Sequence, residues 1–227
     1  MIRTTAYACI IAGCILLPAC SNLKTQHYAG TVFTDKAYTA GAQTIGGKVQ
    51  CEYYDVGGEG VAYHDSDAAN SGSGQLNPAD GTYLHEFRKN EAVDTSYTKS
   101  GGVDDSAYNF VQPEMGQLYV GWTEPGEWIN YTVNVQRSGT YSVGIRYTAN
   151  GNGAISLSVD KTDVTGPLVM TSTHQDEDQE AWRQWHHWNE IGDLARIELE
   201  KGMHVLTLHT VANGNMNYDY LEFTLID

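Results

Sequence analysis

The sequence predicts an all-β fold, a β-sandwich of the jelly-roll type built from two antiparallel sheets. Three observations favour it: short segments alternate apolar and polar residues, turn signals separate these segments, and few stretches have helical spacing. The roughly 180 residues from 48 to 227 suit one domain of this kind.

The chain begins with a segment typical of a bacterial lipoprotein signal, residues 1–20. Arg3 precedes the apolar run AYACIIAGCILL, which is too short to span a bilayer in the usual way. The run ends at LPAC, in which Cys20 would be lipidated and become the new N-terminus. The sequence therefore predicts an exported lipoprotein of the outer membrane, attached to the membrane by its N-terminal lipid, on the periplasmic face or the cell surface.

Residues 21–47 are polar and are interpreted as a tether, and residues 48–227 as the folded domain. Removal of the signal and lipidation of Cys20 leave Cys51 as the remaining thiol, which excludes an intrachain disulfide framework. A lone cysteine in a strand-like segment is expected to be buried and inert.

Alternation is clearest in four segments of the second half: WINYTVNV (128–135), GTYSVGIRYTA (139–149), AISLSVD (154–160) and HVLTLHT (204–210). Each places apolar side chains on one face, as half-buried antiparallel strands do. The turn signals EPGEW, RSGT, ANGNGA, EKGMH and ANGNMN lie around them. The tryptophan-rich segment 176–200 is interpreted as a loop that leads into a strand, because its aromatic residues crowd any helix face.

Composition and motifs exclude several classes of function. The formal net charge of −15 argues against nucleic acid and disfavours strongly anionic polysaccharides. The chain has no phosphate-binding glycine loop, no cysteine pair for zinc and no G-x-S-x-G motif. The acidic run DEDQE (176–180) is more typical of a solvated loop than of a catalytic carboxylate pair.

Recognition of sugars explains more of the pattern. A carbohydrate presents apolar C–H faces and polar hydroxyl edges, so its binding sites combine flat aromatic side chains with a few planar hydrogen-bonding groups. Exposed aromatic residues, asparagines and glutamates in the loops at one end of a sandwich would supply that combination. Trp128 and Trp185 are instead assigned to the core.

Six segments occur in an order that resembles the family 6 carbohydrate-binding modules: VQCEYYDVGGEGVAYHD, LYVGWTEPGEWINYTVNV, GTYSVGIRYTA, AWRQWHHWN, KGMHVLTL and NMNYDYLEF. The resemblance covers residues 48–227. It implies a β-sandwich that binds a polysaccharide or oligosaccharide without catalysis. Modules of this family usually accompany polysaccharide-degrading enzymes, so co-localised glycoside hydrolases are candidate partners.

The resemblance also implies a structural calcium ion that joins the first strand to the last. By position its side-chain ligands would be Gln50, Glu52 and Asp219, with Gln50 in place of the acidic residue that is frequent in the family. Oxygen ligands of this kind suit Ca²⁺. The alternative is a set of ordinary polar residues at strand ends, without a metal.

The binding cleft implied by the resemblance lies in loops at one end of the sandwich, between two aromatic side chains. Trp182 matches one of them, and Trp122 matches the other, where the family usually has tyrosine. Asn217 matches the asparagine that binds sugar hydroxyls, and Glu59 is assigned as the accompanying glutamate, with Glu91 as its rival. For Trp122 the alternative is an aromatic side chain packed in the sheet.

The segment 66–111 is long for a connection between early strands of the family. It is expected to shape the cleft, to be ordered by an Arg88–Asp94 ion pair, or to bind a second calcium ion through Asp65 and Asp67. Two other functions stay open beside carbohydrate binding. One is an envelope scaffold or protein-interaction module on the same fold, and the other is a glycan-degrading enzyme with unrecognised catalytic acids.

Overall fold

A computed structural model describes residues 28–213 and 215–227. The predicted signal segment, Cys20 and the first part of the predicted tether lie outside the described residues. The described chain forms two large sheets, each built mainly from antiparallel pairs, and a small third sheet. This arrangement confirms the predicted β-sandwich.

The strands in chain order are β1 (Gln43–Ile45), β2 (Lys48–Gln50), β3 (Tyr63–His64), β4 (Ser73–Gly74), β5 (Asn77–Pro78), β6 (Thr95–Tyr97), β7 (Leu118–Val120), β8 (Trp128–Val135), β9 (Gly139–Ala149), β10 (Gly153–Val159), β11 (Thr162–Asp163), β12 (Leu168–Met170), β13 (Asn189–Leu199), β14 (Gly202–Ala212) and β15 (Met216–Leu225). A one-turn helix α1 spans Tyr83–Glu86, and 3₁₀ turns span Cys51–Tyr53 and Ala181–Trp185.

The first sheet has the order β1-β8-β14-β10-β11, with β3 also paired to β8 and β12 to β10. The second sheet has the order β13-β9-β15-β7-β6, with β2 also paired to β15. The pair β1–β8 is parallel, whereas the long neighbours β14–β8 and β15–β9 are antiparallel. The long strands of the second half thus form the centre of both sheets.

The core lies between the two sheets. Tyr131 and Leu208 of the first sheet and Val143, Ile145 and Phe223 of the second are each at most 1% exposed. They occupy alternate positions of their strands, so the period-two pattern of the sequence predicted the buried face correctly. Cys51 is also fully buried, and burial raises the pKa of its thiol well above the ordinary value, as expected for an inert side chain.

The segment 28–47 is not a free tether in the described part of the chain. Phe33 is 7% exposed and Ile45 1% exposed, and Thr31 and Val56 exchange backbone hydrogen bonds of 2.7 Å. Strand β1 adds an edge to the first sheet. The segment is polar on average, which suggested a tether, but a few of its side chains are apolar and pack onto the domain.

The segment 66–111 is ordered by buried polar groups. Asn70 is 1% exposed, and its Oδ1 accepts hydrogen bonds from the backbone N–H groups of Gly72, Ser73 and Thr95 at 2.9, 2.8 and 3.1 Å. Such a network stabilises a short-stranded region with few apolar residues, because buried polar groups are costly when they lack partners.

The predicted Arg88–Asp94 ion pair is wrong. Arg88 instead pairs with Glu91 at 2.8 Å and donates to the backbone carbonyls of Tyr54 and Asp55. Its guanidinium stacks over the rings of Phe33 and Tyr54. Arg88 therefore joins the N-terminal segment to the 66–111 segment. This role was not predicted, because its partners are backbone carbonyls and rings distant in sequence.

The segment 176–200 consists of a loop, the 3₁₀ turn and strand β13, as the crowding of its tryptophans predicted. Within the described residues, no helix is both long and apolar enough to cross a bilayer.

Candidate functional site

A cavity of about 670 Å³ opens among the loops at one end of the sandwich. It lies where β7 leads into β8, where the 3₁₀ turn precedes β13, and where β14 leads into β15. Its lining combines four aromatic side chains with amides, carboxylates and one imidazole: Asp67, Tyr119, Trp122, Thr123, Glu124, Pro125, Trp182, Trp185, His186, Asn213, Asn215 and Asn217.

Trp122 is 41% exposed and has a backbone φ of +50°. A positive φ is uncommon for a bulky residue and costs free energy, so the surrounding structure must hold it in place. Two glycines permit this arrangement. A Cβ on Gly72 would lie 2.0 Å from the carbonyl oxygen of Thr95 and 3.2 Å from the Trp122 ring, and a Cβ on Gly121 would lie 2.6 Å from Asn217 Oδ1.

Trp182 is 49% exposed and lies in the 3₁₀ turn. Its indole N–H donates to Glu180 at 2.8 Å, and the Arg183 guanidinium lies 5.7 Å from the ring centroid. A large apolar ring so exposed contributes little to the core, yet its neighbours restrict its orientation. Such a side chain is suited to stacking against a flat ligand.

The loop that carries Trp182 is held by a buried carboxylate, Asp178. It receives two 2.6 Å hydrogen bonds from Arg183 and is 2.8 Å from His187 Nε2. The hydrogen-bonded Arg183 guanidinium holds the pKa of Asp178 well below its usual range. The run DEDQE is therefore not simply a solvated loop, because one of its acids is 5% exposed and fixes the turn.

Three asparagines supply amide groups to the cavity. Asn217, on β15, is 4% exposed and donates to the carbonyl oxygen of Trp185 at 2.6 Å. Asn213 and Asn215 follow β14, and both have positive φ values, which asparagine tolerates better than most residues. Asn215 also lies 3.4 Å from the indole nitrogen of Trp185, which donates to its Oδ1.

Another part of the cavity wall carries the carboxylates Asp67 and Glu124. Behind it, Glu127 accepts hydrogen bonds from the backbone N–H and hydroxyl of Ser66 at 3.1 and 2.7 Å. Burial, with repulsion from neighbouring acids, raises the pKa of Asp94 to about 6. Among the described residues that line the cavity there is no lysine or arginine.

The structure brings together three of the four predicted sugar-binding residues: Trp122, Trp182 and Asn217 all line the cavity. Glu59 does not line it. Its side chain is about half exposed and pairs with His64 at 2.5 Å. The rival Glu91 is engaged by Arg88 and does not line the cavity either. Glu124, in the turn after Trp122, is the glutamate that the fold places there.

Other lining residues were missed by the sequence reasoning. Trp185 was assigned to the core, but it lines the cavity, and Trp188 is the fully buried tryptophan of this segment. Trp128, also assigned to the core, is half-buried on the outer face of the first sheet. Asn213 and Asn215 belong to the turn signal ANGNMN, which could have indicated them, whereas no local signal distinguished His186.

The described residues contain one place suited to a cation. Glu52 and Asp219 are at most 1% exposed, and Glu52 Oε2 and both carboxylate oxygens of Asp219 have no hydrogen-bond partner. Burial, with repulsion between the two groups, raises the pKa of Glu52 well above its usual range. Burial raises the pKa of Asp219 to about 7. Arg146 lies 3.7 Å from Asp219 Oδ2 and offsets part of the negative charge. Buried carboxylate oxygens without hydrogen bonds are still costly, and a bound cation would remove that cost.

The third predicted ligand lies beside this pair. Gln50 pairs with Tyr220 across β2 and β15, and its Oε1 accepts a 3.3 Å hydrogen bond from Gln117. Gln117 also donates to Glu52 at 3.0 Å. The oxygen atoms of Gln50, Glu52 and Asp219 thus fit the calcium expectation, with two carboxylates and one amide.

No group of three or more His, Cys, Asp or Glu side chains in the described chain is placed to hold a metal ion. This finding gives no support to a second calcium ion at Asp65 and Asp67. Asp65 Oδ1 instead accepts a 2.9 Å hydrogen bond from the backbone N–H of Asp67.

The chain belongs to the family "Carbohydrate binding module (family 6)", whose sequence model matches residues 92–225. The match includes the β7–β8 connection, the 3₁₀ turn and the β14–β15 connection, from which most of the cavity is built. A search of curated protein sequences finds no match.

Solved structures similar to this chain share few of its residues. A family 6 module from Clostridium stercorarium in complex with cellobiose is 13% identical, with a TM-score of 0.48, over 83% of this chain and 100% of that one. A module of Cellvibrio mixtus lichenase 5A in complex with cellotriose is 20% identical, with a TM-score of 0.43, over 60% and 88%. A β-1,3-glucan-binding module from Bacillus halodurans is 14% identical, with a TM-score of 0.44, over 80% and 98%.

Proposed function

We propose that this protein binds carbohydrate, without catalysis, in the cavity between Trp122 and Trp182. The observation that carries the proposal is the cavity itself, in which two exposed indole rings and the buried amide of Asn217 line the same space. The rings would stack on apolar sugar faces, and the amide would bind hydroxyl groups. Membership of the family supports the same function.

The charge of the cavity favours neutral glycans. Asp67 and Glu124 line it, no described lysine or arginine does, and the whole chain has a formal net charge of −15. A polymer rich in carboxylate or sulfate groups would be repelled at close range. Relatives named for binding cellobiose, cellotriose and β-1,3-glucan bind neutral sugars, which supports this choice of class.

The proposal includes a structural calcium ion held by Glu52, Asp219 and Gln50. The ion would neutralise the two buried carboxylates and join the segment after β2 to strand β15. Its role would be to stabilise the sandwich, because these residues do not line the proposed binding cavity.

The proposal also includes attachment to the outer membrane through lipidated Cys20. Cys20 precedes Tyr28, the first described residue, by eight positions. Since an extended chain spans at most about 3.5 Å per residue, the lipid would hold Tyr28 within about 28 Å of the membrane. Many copies held on one surface would bind a polymer more strongly than single copies in solution. Metabolic labelling with a fatty acid, lost in Cys20→Ala, tests this attachment.

Affinity electrophoresis of the purified protein tests the central proposal. The gels contain neutral polysaccharides (xylan, mixed-linkage β-glucan, β-1,3-glucan) or anionic ones (alginate, pectate), with calcium present. We expect retardation on at least one neutral polymer, and no retardation of the double variant Trp122→Ala/Trp182→Ala. A folded wild-type protein that migrates freely in every gel contradicts the proposal and favours the scaffold alternative.

A hydrolase is the second candidate, because two carboxylates, Asp67 and Glu124, line the same cavity. Glycosidases use two such groups on either side of the bond that is cleaved. Incubation of the protein with the polymer that it retains is expected to release no reducing ends. Release that is lost in Glu124→Gln would establish an enzyme instead.

A further inference from the structure

His186 lies in the wall of the cavity, and neither the sequence nor the proposed function assigns it a role. Its side chain is 20% exposed, and its ring meets the ring of Trp182 edge-on, with centroids 5.9 Å apart and an interplanar angle of 68°. A ligand stacked on Trp182 would therefore lie close to the imidazole of His186.

The partner of His186 on its inner side is Asp104, which is fully buried. His186 Nδ1 is 2.8 Å from Asp104 Oδ1. The same oxygen accepts a 2.8 Å hydrogen bond from the indole N–H of Trp188, and Oδ2 accepts one of 2.7 Å from the backbone N–H of Lys99. Each oxygen of Asp104 thus accepts a hydrogen bond from a group other than His186.

This geometry fixes the position of the imidazole proton. Because Asp104 accepts through both oxygens, Nδ1 must donate, and in the neutral ring the lone pair is on Nε2. The two nitrogens lie at different edges of the ring, so Nε2 is turned away from Asp104. Three other charged groups lie in the same region as His186. Arg183 forms an ion pair with Asp178, and the carboxylates of Asp67 and Glu124 line the cavity.

We infer that His186 is a ligand-binding residue whose Nε2 accepts a hydrogen bond from a hydroxyl group of the sugar stacked on Trp182. Asp104 is the positioning residue, since it holds the tautomer and the ring orientation of His186 without itself lining the cavity. The inference rests on the proposed function, and deepens it. It defines the ligand as a sugar with a free hydroxyl at the edge that meets His186.

The consequence is selectivity for that hydroxyl. A ligand that lacks it leaves Nε2 without a partner in the complex, and the loss of one such hydrogen bond costs about 1–1.5 kcal/mol, or roughly tenfold in affinity. The loss is specific to one position of the sugar. A side chain with only a packing role would not distinguish between positions.

The test is calorimetric titration with the best-bound oligosaccharide and with its monodeoxy analogues. The proteins are the wild type, His186→Phe and His209→Phe. Phenylalanine at 186 keeps a ring against Trp182 but removes both nitrogens. His209 lies in a groove on the outer face of the first sheet, outside the cavity, and serves as the matched control.

We expect one analogue to bind the wild type about tenfold more weakly than the parent sugar. His186→Phe should bind the parent sugar about tenfold more weakly and should not distinguish it from that analogue. His209→Phe should behave as the wild type. Full affinity of His186→Phe, or an equal loss against the parent and every analogue, overturns the inference.

A measurement on the wild type, independent of any substitution, completes the test. The ¹⁵N shifts of His186 should show the proton on Nδ1 in the free protein and a change at Nε2 when the sugar binds. A proton on Nε2 of the neutral ring would overturn the assignment. An affinity of Trp182→Ala equal to that of the wild type would refute the proposed binding in this cavity, which is a separate result from a failure at His186 alone.

Discussion

The rim of the cavity and the layer that supports it differ in one main respect, exposure. The rim consists of Trp122 and Trp182, which are 41% and 49% exposed. The supporting layer consists of Tyr119, Trp188 and Asp104, each at most 1% exposed. Trp182 and Trp188 belong to the same short segment, yet one ring meets solvent while the other packs edge-on against Tyr119 at 5.2 Å.

Residues of one type therefore serve binding or stability according to where a short turn places them. A ring in the supporting layer contributes to folding through the area that it buries. A ring at the rim contributes little to folding and is available to a ligand. Substitutions should therefore separate into those that change the free energy of unfolding and those that change affinity.

The largest expected effect is on stability, in the supporting layer. Trp188→Ala removes a fully buried ring and its hydrogen bond to Asp104, so the free energy of unfolding should fall by about 3–5 kcal/mol. Urea denaturation followed by circular dichroism measures it. A loss below about 1 kcal/mol would contradict the assignment of Trp188 to the supporting layer.

Calcium should change stability without changing affinity. At a concentration one hundred times its Kd, calcium would stabilise the fold by about 2.7 kcal/mol, which corresponds to a rise in Tm of roughly 5–10 °C. Asp219→Asn should abolish the response, because it removes one of the two carboxylates that would hold the ion. Differential scanning calorimetry with calcium or EDTA measures both effects. An unchanged Tm in the wild type would refute the calcium proposal.

At the rim, Trp122→Ala should weaken glycan binding by about 2 kcal/mol, or roughly thirtyfold, through loss of stacking. Its effect on unfolding should stay within about 0.5 kcal/mol, because the ring is exposed and alanine keeps the same strained φ. Titration and urea denaturation of the same sample measure the two quantities. Unchanged affinity with a large loss of stability would place Trp122 in the supporting layer, and would favour the alternative of a ring packed in the sheet.

The smallest effect concerns a buried acid behind the cavity wall. Burial raises the pKa of Asp94 to about 6 in the folded protein, against about 4 in the unfolded chain. The folded protein therefore loses stability as the pH rises from about 4 through 6, because Asp94 must then ionise in a buried position. Asp94→Asn imitates the neutral form. It should be more stable than the wild type at pH 8, by on the order of 1–2 kcal/mol, and equally stable at pH 4. Thermal unfolding of both proteins at pH 4 and pH 8 measures the difference in stability. The same difference at both pH values would contradict the prediction.

Much of the fold could be predicted from the sequence, because alternation directly reports burial on one face of a strand. The segments 128–135 and 139–149 coincide with β8 and β9. The short strands before residue 120 could not be predicted in this way. Their order depends on polar networks such as that of Asn70, and on Arg88, whose partners lie far away in sequence.

Site residues that match a family motif could be predicted from the sequence. Residues whose position depends on tertiary contacts could not. Trp122, Trp182 and Asn217 reach the cavity as expected. Glu59 was assigned as the glutamate of the cleft, but its carboxylate pairs with His64 instead. Trp185 was assigned to the core, but it lines the cavity because of the 3₁₀ turn, which single-residue propensities do not indicate.

The most direct measurement is calorimetric titration of the best neutral oligosaccharide into the wild type, Trp182→Ala and Trp128→Ala. Trp128 is half-buried in the groove on the outer face of the first sheet, so it controls for binding outside the cavity. We predict saturable binding by the wild type and Trp128→Ala, and a loss of at least roughly thirtyfold in Trp182→Ala. Unchanged affinity in Trp182→Ala together with loss of binding in Trp128→Ala would contradict binding in the cavity and place the ligand on the sheet.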